Sequence, residues 1–368
     1  MERVRSGPSL YAIFAALAFL AAPMARGQAW LPPKGDASLT LGYQYYYSTQ
    51  YTCTEDCGTF YDGGIWQHGL VAYMTYGITD RLAVSLGLPP YYMSRYSGPD
   101  PHALPVLDAS GSIVRDANGT ALYHPPTPLD DGSYHATLQD FRAELSFMAL
   151  REPLVLTPFI GVVVPSHAYD FHAQTAVGRR LWDVRIGANL ARRLDPLLPD
   201  AYLHGRYAFA YRQAAEGLRF NYSYLELELG YFVTPSLSLR FLGAGQFAHD
   251  GLHINEYPPA PPAPDGVGFT QWYYPFAEGQ EMRGQDALPL AMHHDQLDSQ
   301  SNFNLGLGVS YAVTPSLDLS AQAYRPVYVR GGRGAEIVVS VWTTVTFSPG
   351  KKSPQPPAVA PRLGPTLP

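Results

Sequence analysis

Asp140-Phe-Arg-Ala-Glu-Leu-Ser-Phe147 is the stretch on which the fold turns. At a period of two, Asp140, Arg142, Glu144 and Ser146 share one face, and Phe141, Ala143, Leu145 and Phe147 share the other. Such a strand has no place in a dry sandwich core, where its charged face would be stranded without solvent. It is stable with lipid on one side and a wet lumen on the other, as in a transmembrane β-barrel.

The same alternation recurs outward from this stretch. Twelve segments read as strands: 38–47, 66–76, 82–88, 138–150, 154–164, 182–191, 202–212, 222–232, 237–246, 303–313, 317–328 and 337–347. Pro158 lies inside the fifth and predicts a bulge there, because proline removes a ladder donor. Three turns repeat one another: Tyr76-Gly-Ile-Thr-Asp-Arg-Leu82, Tyr231-Phe-Val-Thr-Pro-Ser-Leu237 and Tyr311-Ala-Val-Thr-Pro-Ser-Leu317. Each has an aromatic, a tight turn and a second alternating run, the signature of a hairpin. With twelve antiparallel strands, all three turns fall at the end where the termini lie, the periplasmic end of a barrel. The opposite end carries the long connections, including 89–137 and 247–302, which are rich in Pro, Gly, His and Tyr. Loops of this length are uncommon inside compact soluble domains, but can cover the mouth of a barrel. The fold class expected is therefore all-β, a transmembrane antiparallel up-and-down barrel with long extracellular loops.

The start of the chain agrees. Arg3 and Arg5 precede an apolar run that is too short to span a bilayer, and small residues follow. This is a signal-peptide pattern over residues 1–27, with cleavage after 27 or 29. The barrel is expected over 30–347 and a Pro-rich periplasmic tail over 348–368. Charged residues are 15% of the chain, low against the ordinary quarter, while 27 tyrosines provide material for aromatic girdles. The formal charge is −6 and grows more negative once Arg3, Arg5 and Arg26 leave with Glu2. No basic patch suggests nucleic acid.

Several constellations are candidates for function. The inward charges expected are Asp140, Arg142, Glu144, Asp183, Arg185, His204, Arg206, Glu226, Glu228, Arg240 and Asp318. They could line a pore and set its selectivity, or pair into a network that holds the barrel in shape. Both signs occur on neighbouring strands, which argues against a filter of one sign. Tyr43, Tyr45, Tyr76, Tyr231 and Tyr311 read as girdle residues at the lipid boundary. The loop cluster Trp272-Tyr-Tyr-Pro-Phe276 could meet an apolar ligand or simply pack on the rim. Cys53 and Cys57 read as a short disulfide loop in an oxidising compartment. His167, His172, His293, His294 and Asp295 lack regular ligand spacing, so neither metal nor another cofactor is expected. Ser301-Asn302 follows His294 at a distance that does not place them side by side on a strand, so a lipid hydrolase is a weak reading. The sequons at Asn118 and Asn221 are chance matches in a bacterial setting.

Short motifs also carry a resemblance. Trp30-Leu-Pro-Pro-Lys-Gly35, the tyrosines ending the first strand, Tyr76-Gly-Ile-Thr-Asp-Arg-Leu82 and Leu86-Gly-Leu-Pro89 belong to it. So do 140–147, Gly161-Val-Val-Val-Pro165 and Trp182-Asp-Val-Arg-Ile-Gly187. Over 30–347 the chain resembles the outer-membrane proteins grouped as the "MetA-pathway of phenol degradation" family. The resemblance implies an outer-membrane barrel that transports small aromatic or apolar compounds, with no catalytic residues to carry over. The long outer loops and the cysteine pair depart from that pattern. The expected partners are outer-membrane lipid, a small-molecule substrate and the barrel assembly machinery, for which Phe347 stands as a terminal aromatic. The alternative function is a structural or surface-interaction barrel with a filled lumen.

Overall fold

The structure, a computed structural model, describes residues 30–53, 58–98, 129–215, 217–252 and 295–349. It also describes short stretches at 104–106, 108, 112, 114–120, 122–124, 274–275, 281–282 and 293. The expected signal peptide and nearly all of the tail lie outside these residues.

Twelve antiparallel strands close into a barrel. They are β1 (Ala37–Thr52), β2 (Thr59–Thr79), β3 (Leu82–Gly87, resumed as Tyr91–Ser97) and β4 (His135–Leu138, resumed as Asp140–Phe147). There follow β5 (Val155–Pro165), β6 (Asp183–Arg193), β7 (Ala201–Arg212) and β8 (Tyr222–Phe232). The wall is completed by β9 (Leu237–Ala248), β10 (Ser301–Thr314), β11 (Leu317–Arg330) and β12 (Ile337–Phe347). Neighbours in sequence pair in space, and β1 closes the circle against β12, from Ala37↔Phe347 to Tyr47↔Ile337. Closure removes every sheet edge, the condition for strands to cross a bilayer. Among the described residues no helix is long and apolar enough to cross.

The register turns one face of every strand outward. Leu41, Leu70, Phe141, Ile160, Ile186, Leu203, Leu239, Phe241, Leu307 and Val341 all lie exposed on the wall. An apolar belt that runs around a whole molecule requires lipid as its solvent. The fold is thus that of a bacterial outer-membrane barrel.

The three repeated turns share one device. Thr79 Oγ1 accepts from the Arg81 amide, Thr234 Oγ1 from those of Ser236 and Leu237, and Thr314 Oγ1 from those of Ser316 and Leu317. A threonine that bonds forward to the backbone imitates a turn hydrogen bond, which explains its place in each copy.

One local expectation is corrected. The third strand does not end near Leu88, and the loop does not begin at Pro89. Pairing with β2 passes from Tyr73↔Gly87 to Leu70↔Tyr91, so the prolines occupy a one-residue bulge and the wall resumes to Ser97. The Leu88 amide still donates to Ala72 O, and the Gln139 amide to Pro90 O, so the ladder loses little there. Pro158 keeps register with Ala188 on the β6 side, but on the β4 side the expected bulge is present: between Ser146↔Phe159 and the Leu150↔Leu156 bridge, residues 147–149 face only Thr157 and Pro158. Leu156, two residues earlier, directs its amide to Leu150 O on the β4 side, so the Pro158 nitrogen points the same way. The missing donor therefore falls inside that bulge, between Ser146↔Phe159 and Leu150↔Leu156.

Candidate functional site

The inward face of each strand follows from the register. The ladders set His204 against Glu228, Arg206 against Asn189 and Glu226, and Arg240 against Gly308. Asp183 lies opposite Val163 and Arg212, and Asp318 opposite Thr344. The expected lumen candidates therefore occupy inward positions, but they divide into two zones.

Nearer the turn end, Arg206 donates to Glu144 Oε2 at 2.6 Å and to Asn189 Oδ1 at 3.2 Å, with its guanidinium 3.8 Å from the centre of the Phe159 ring. Arg240 reaches Glu228 at 3.5 Å, and Tyr202 donates its hydroxyl to the same carboxylate. His204 is buried beside them. These contacts brace neighbouring strands and, through Arg206 and Glu144, tie β7 to β4 across the inner face of β5 and β6.

Nearer the loop end, Asp183 serves two arginines. Arg185 donates to both of its oxygens at 2.9 and 3.0 Å, and Arg212 donates to Oδ2 at 3.2 Å. Arg212 also donates to the Tyr224 hydroxyl at 3.0 Å. Asp140 accepts from the Tyr169 hydroxyl at 2.7 Å, and burial together with that carboxylate holds the Tyr169 phenol above its usual range. Arg142 here, and Glu226 opposite Arg206 in the other zone, point inward yet remain exposed. Neither makes a hydrogen bond among the described residues, so both face open, wet volume.

Large inward aromatics lie flat rather than projecting. A Cβ built on Gly42 would stand 2.0 Å from the Trp342 ring, one on Gly69 2.3 Å from Tyr92, one on Gly230 2.2 Å from Tyr202 and one on Gly306 2.5 Å from Tyr324. Each ring occupies the space that a side chain on the neighbouring strand would fill. The lumen stays wider as a result.

Two roofs cover the ends of the lumen. At the loop end, segments 166–182 and 295–300 fold inward. Asp130 accepts from the amides of Gln174 and Thr175 and from the Thr175 hydroxyl, and Gln296 donates to Ala173 O at 2.7 Å. Arg333 joins Gln174 to Asp62. Tyr51 donates to Asp298 at 2.7 Å, within a cluster that includes Cys53, Leu181, Phe220, Tyr222, Leu252 and Leu297. Burial and the neighbouring Asp295 push the Asp298 carboxyl well above the ordinary carboxylate range. Below this roof lies a chamber of about 450 Å³, lined by Arg142, Arg179, Arg185, Arg212 and Arg333, by Asp140, Asp183, Asp295 and Asp298, and by Tyr46 and Tyr224. At the turn end, Trp30 and Leu31 pack on Met148, Val155 and Ala191, with the Trp30 ring edge-on to Tyr202 at 6.2 Å.

Other candidates separate. Tyr76, Tyr231 and Tyr311 lie exposed near the turn end, whereas Tyr43 and Tyr45 gather with His68 and Tyr134 farther up the outer wall. His167 bonds Ser166 and Thr137, and His293 stacks on Phe171 at 4.1 Å. Among the described residues no three potential metal ligands converge. The Ser301 hydroxyl accepts from the Ala248 amide at the end of β9. Cys53 is disulfide-bonded, while Cys57, His294 and the side chains of 272–276 lie outside the described residues.

Sequence reasoning expected long loops to cover the outer mouth, but it named none of the residues that build the roofs and missed the turn-end one. Tyr169 and Arg179 sit in an irregular segment, Arg333 in a strand of three residues, Gly332–Gly334, too short to show a period, and Trp30 precedes the first strand. The inward glycines were a usable signal, since each recurs on a polar face beside a strand that supplies an aromatic.

No known sequence family matches the chain, and no curated protein does. Solved structures do. A COG4313 outer membrane channel from Pseudomonas putida F1 is 14% identical, covers 88% of this chain and 100% of its own, and superposes with a TM-score of 0.56. A FadL homologue from Pseudomonas aeruginosa (11% identity, 88% of this chain, 96% of its own) and the translocator domain of the autotransporter NalP from Neisseria meningitidis (10%, 92% and 93%) reach only 0.37 and 0.43. The first likeness establishes the shared barrel fold.

Proposed function

We propose that this chain is a passive outer-membrane channel for small molecules, aromatic ones among them, and that it belongs with the phenol-degradation outer-membrane proteins it resembles. One observation carries the reading: Arg142 and Glu226 point into the barrel and yet remain exposed. A filled lumen would cover both, because burying an unpaired charge is costly. The likeness of fold to an outer membrane channel supports it. Lipid around the wall and the barrel assembly machinery, reading Phe347, complete the partners. No enzymatic role is proposed.

The dense hydrogen bonding of the roof favours a second reading, a closed surface barrel. The two separate when the roof is shortened. Replacing 251–299 with a short linker, in protein reconstituted into planar bilayers, is expected to raise conductance several-fold over the parent. A bilayer that stays silent with both proteins would sink the channel reading.

A further inference from the structure

The charges around the chamber beneath the roof do not balance. Arg333 is matched by Asp62. The roof adds Arg179 and Asp295, of opposite sign, and Asp298, which burial pushes toward its neutral form. On the wall, three guanidiniums (Arg142, Arg185 and Arg212) face two carboxylates, Asp140 and Asp183. Asp183 is already divided between Arg185 and Arg212, and Asp140 is held by Tyr169. Arg212 is 8% exposed, and its Nη1 has no partner among the described residues. Arg142, on the same chamber, makes no hydrogen bond among them either. One guanidinium's worth of charge and several N–H donors are therefore unspent in a confined space.

A guanidinium fork matches a carboxylate in shape and donates to both its oxygens. The two flanking aspartates set the ligand's charge: they leave room for one negative charge and repel a second. Inorganic phosphate, carrying more charge near neutral pH, fits less well. Tyr46 and Tyr224 supply ring faces on the same chamber, with Arg185 already 5.0 Å from the Tyr224 ring centre. We propose that the chamber beneath the roof is a binding site for small monocarboxylates, aromatic ones foremost, with Arg142 and Arg212 as the residues that take the carboxylate. The proposal narrows the channel reading to a substrate class and rests on it only for passage; binding stands apart.

Titration calorimetry on the detergent-purified full chain tests it with benzoate and its neutral counterpart benzamide. Benzoate is expected to bind at least tenfold more tightly than benzamide. Arg142→Gln is expected to remove most of that difference, and Arg142→Lys to restore part of it. Arg142 makes no hydrogen bond among the described residues, so its variants should fold even where Arg212→Gln does not. Equal binding of the two compounds, no binding of benzoate, or an unchanged preference in Arg142→Gln would each overturn the proposal. Bilayer conductance of the same preparation reads the channel function separately: a conducting barrel indifferent to benzoate would reject the site alone, and a silent barrel that binds benzoate would reject passage alone.

Discussion

A missing side chain is as informative in this barrel as a charged one. Gly230 faces the lumen, and any Cβ there would meet the Tyr202 ring at 2.2 Å. Tyr202 in turn donates to Glu228 and meets Trp30 edge-on. Gly230→Val should therefore drive the ring off the wall and break that hydrogen bond. The expected cost is about 1–3 kcal/mol, as for other overpacked sites, measured by urea unfolding of the refolded barrel in micelles. An unchanged midpoint would show that the ring has somewhere else to go. At this scale the sequence was legible where a residue obeys the two-residue period. Asp140, Arg142 and Glu144 lie inward because Phe141, Ala143 and Leu145 must meet lipid. It was not legible where a residue's task depends on a partner far along the chain. Arg206 reads as one more inward charge, and only closure of the wall brings it to Glu144 and over Phe159.

Among the elements, the strands were read well and the connections poorly. Strand boundaries follow from local alternation, and the main error sat at a pair of prolines. Pro89 and Pro90 ended a predicted strand that continues past them, whereas Pro158 marks a bulge on its β4 side and none on its β6 side. In each case the outcome depends on which neighbour the proline nitrogen faces, a fact of pairing rather than of composition. The roof segments have no period at all, so their order comes from contacts alone. Asp298 is expected to make their stability depend on pH. Its folded value lies above the unfolded one, so the folded roof binds the proton more tightly. The stabilisation is complete at low pH and is lost as pH rises from the ordinary carboxylate range through the folded value. Asp298→Asn keeps a neutral group of the same shape and removes that loss. The thermal midpoint of the parent should fall relative to that of the Asp298→Asn variant as pH is raised from about 5 to 8. Parallel curves would mean that Asp298 is not held neutral in the fold.

On the scale of the whole molecule, the barrel is a tube narrowed at both ends by its own chain. The turn-end mouth holds Trp30 and Leu31 against Met148, Val155 and Ala191. Trp30→Ala removes a large ring from the mouth while leaving the ladder untouched. It should raise single-channel conductance in planar bilayers, and unchanged conductance would place the narrowest point at the roof. The sequence by itself determined that the chain crosses a membrane as a closed antiparallel barrel, with its turns at one end and its loops at the other. That much is local: a period of two, a charged face opposite an apolar one and a repeated threonine turn suffice, because lipid and lumen impose the same rule on every strand. Only the tertiary structure decided how the ends are narrowed, which arginines share Asp183 and which remain unmatched, and where a chamber of about 450 Å³ is left. Those depend on groups distant in sequence meeting inside the tube, and no local pattern constrains them.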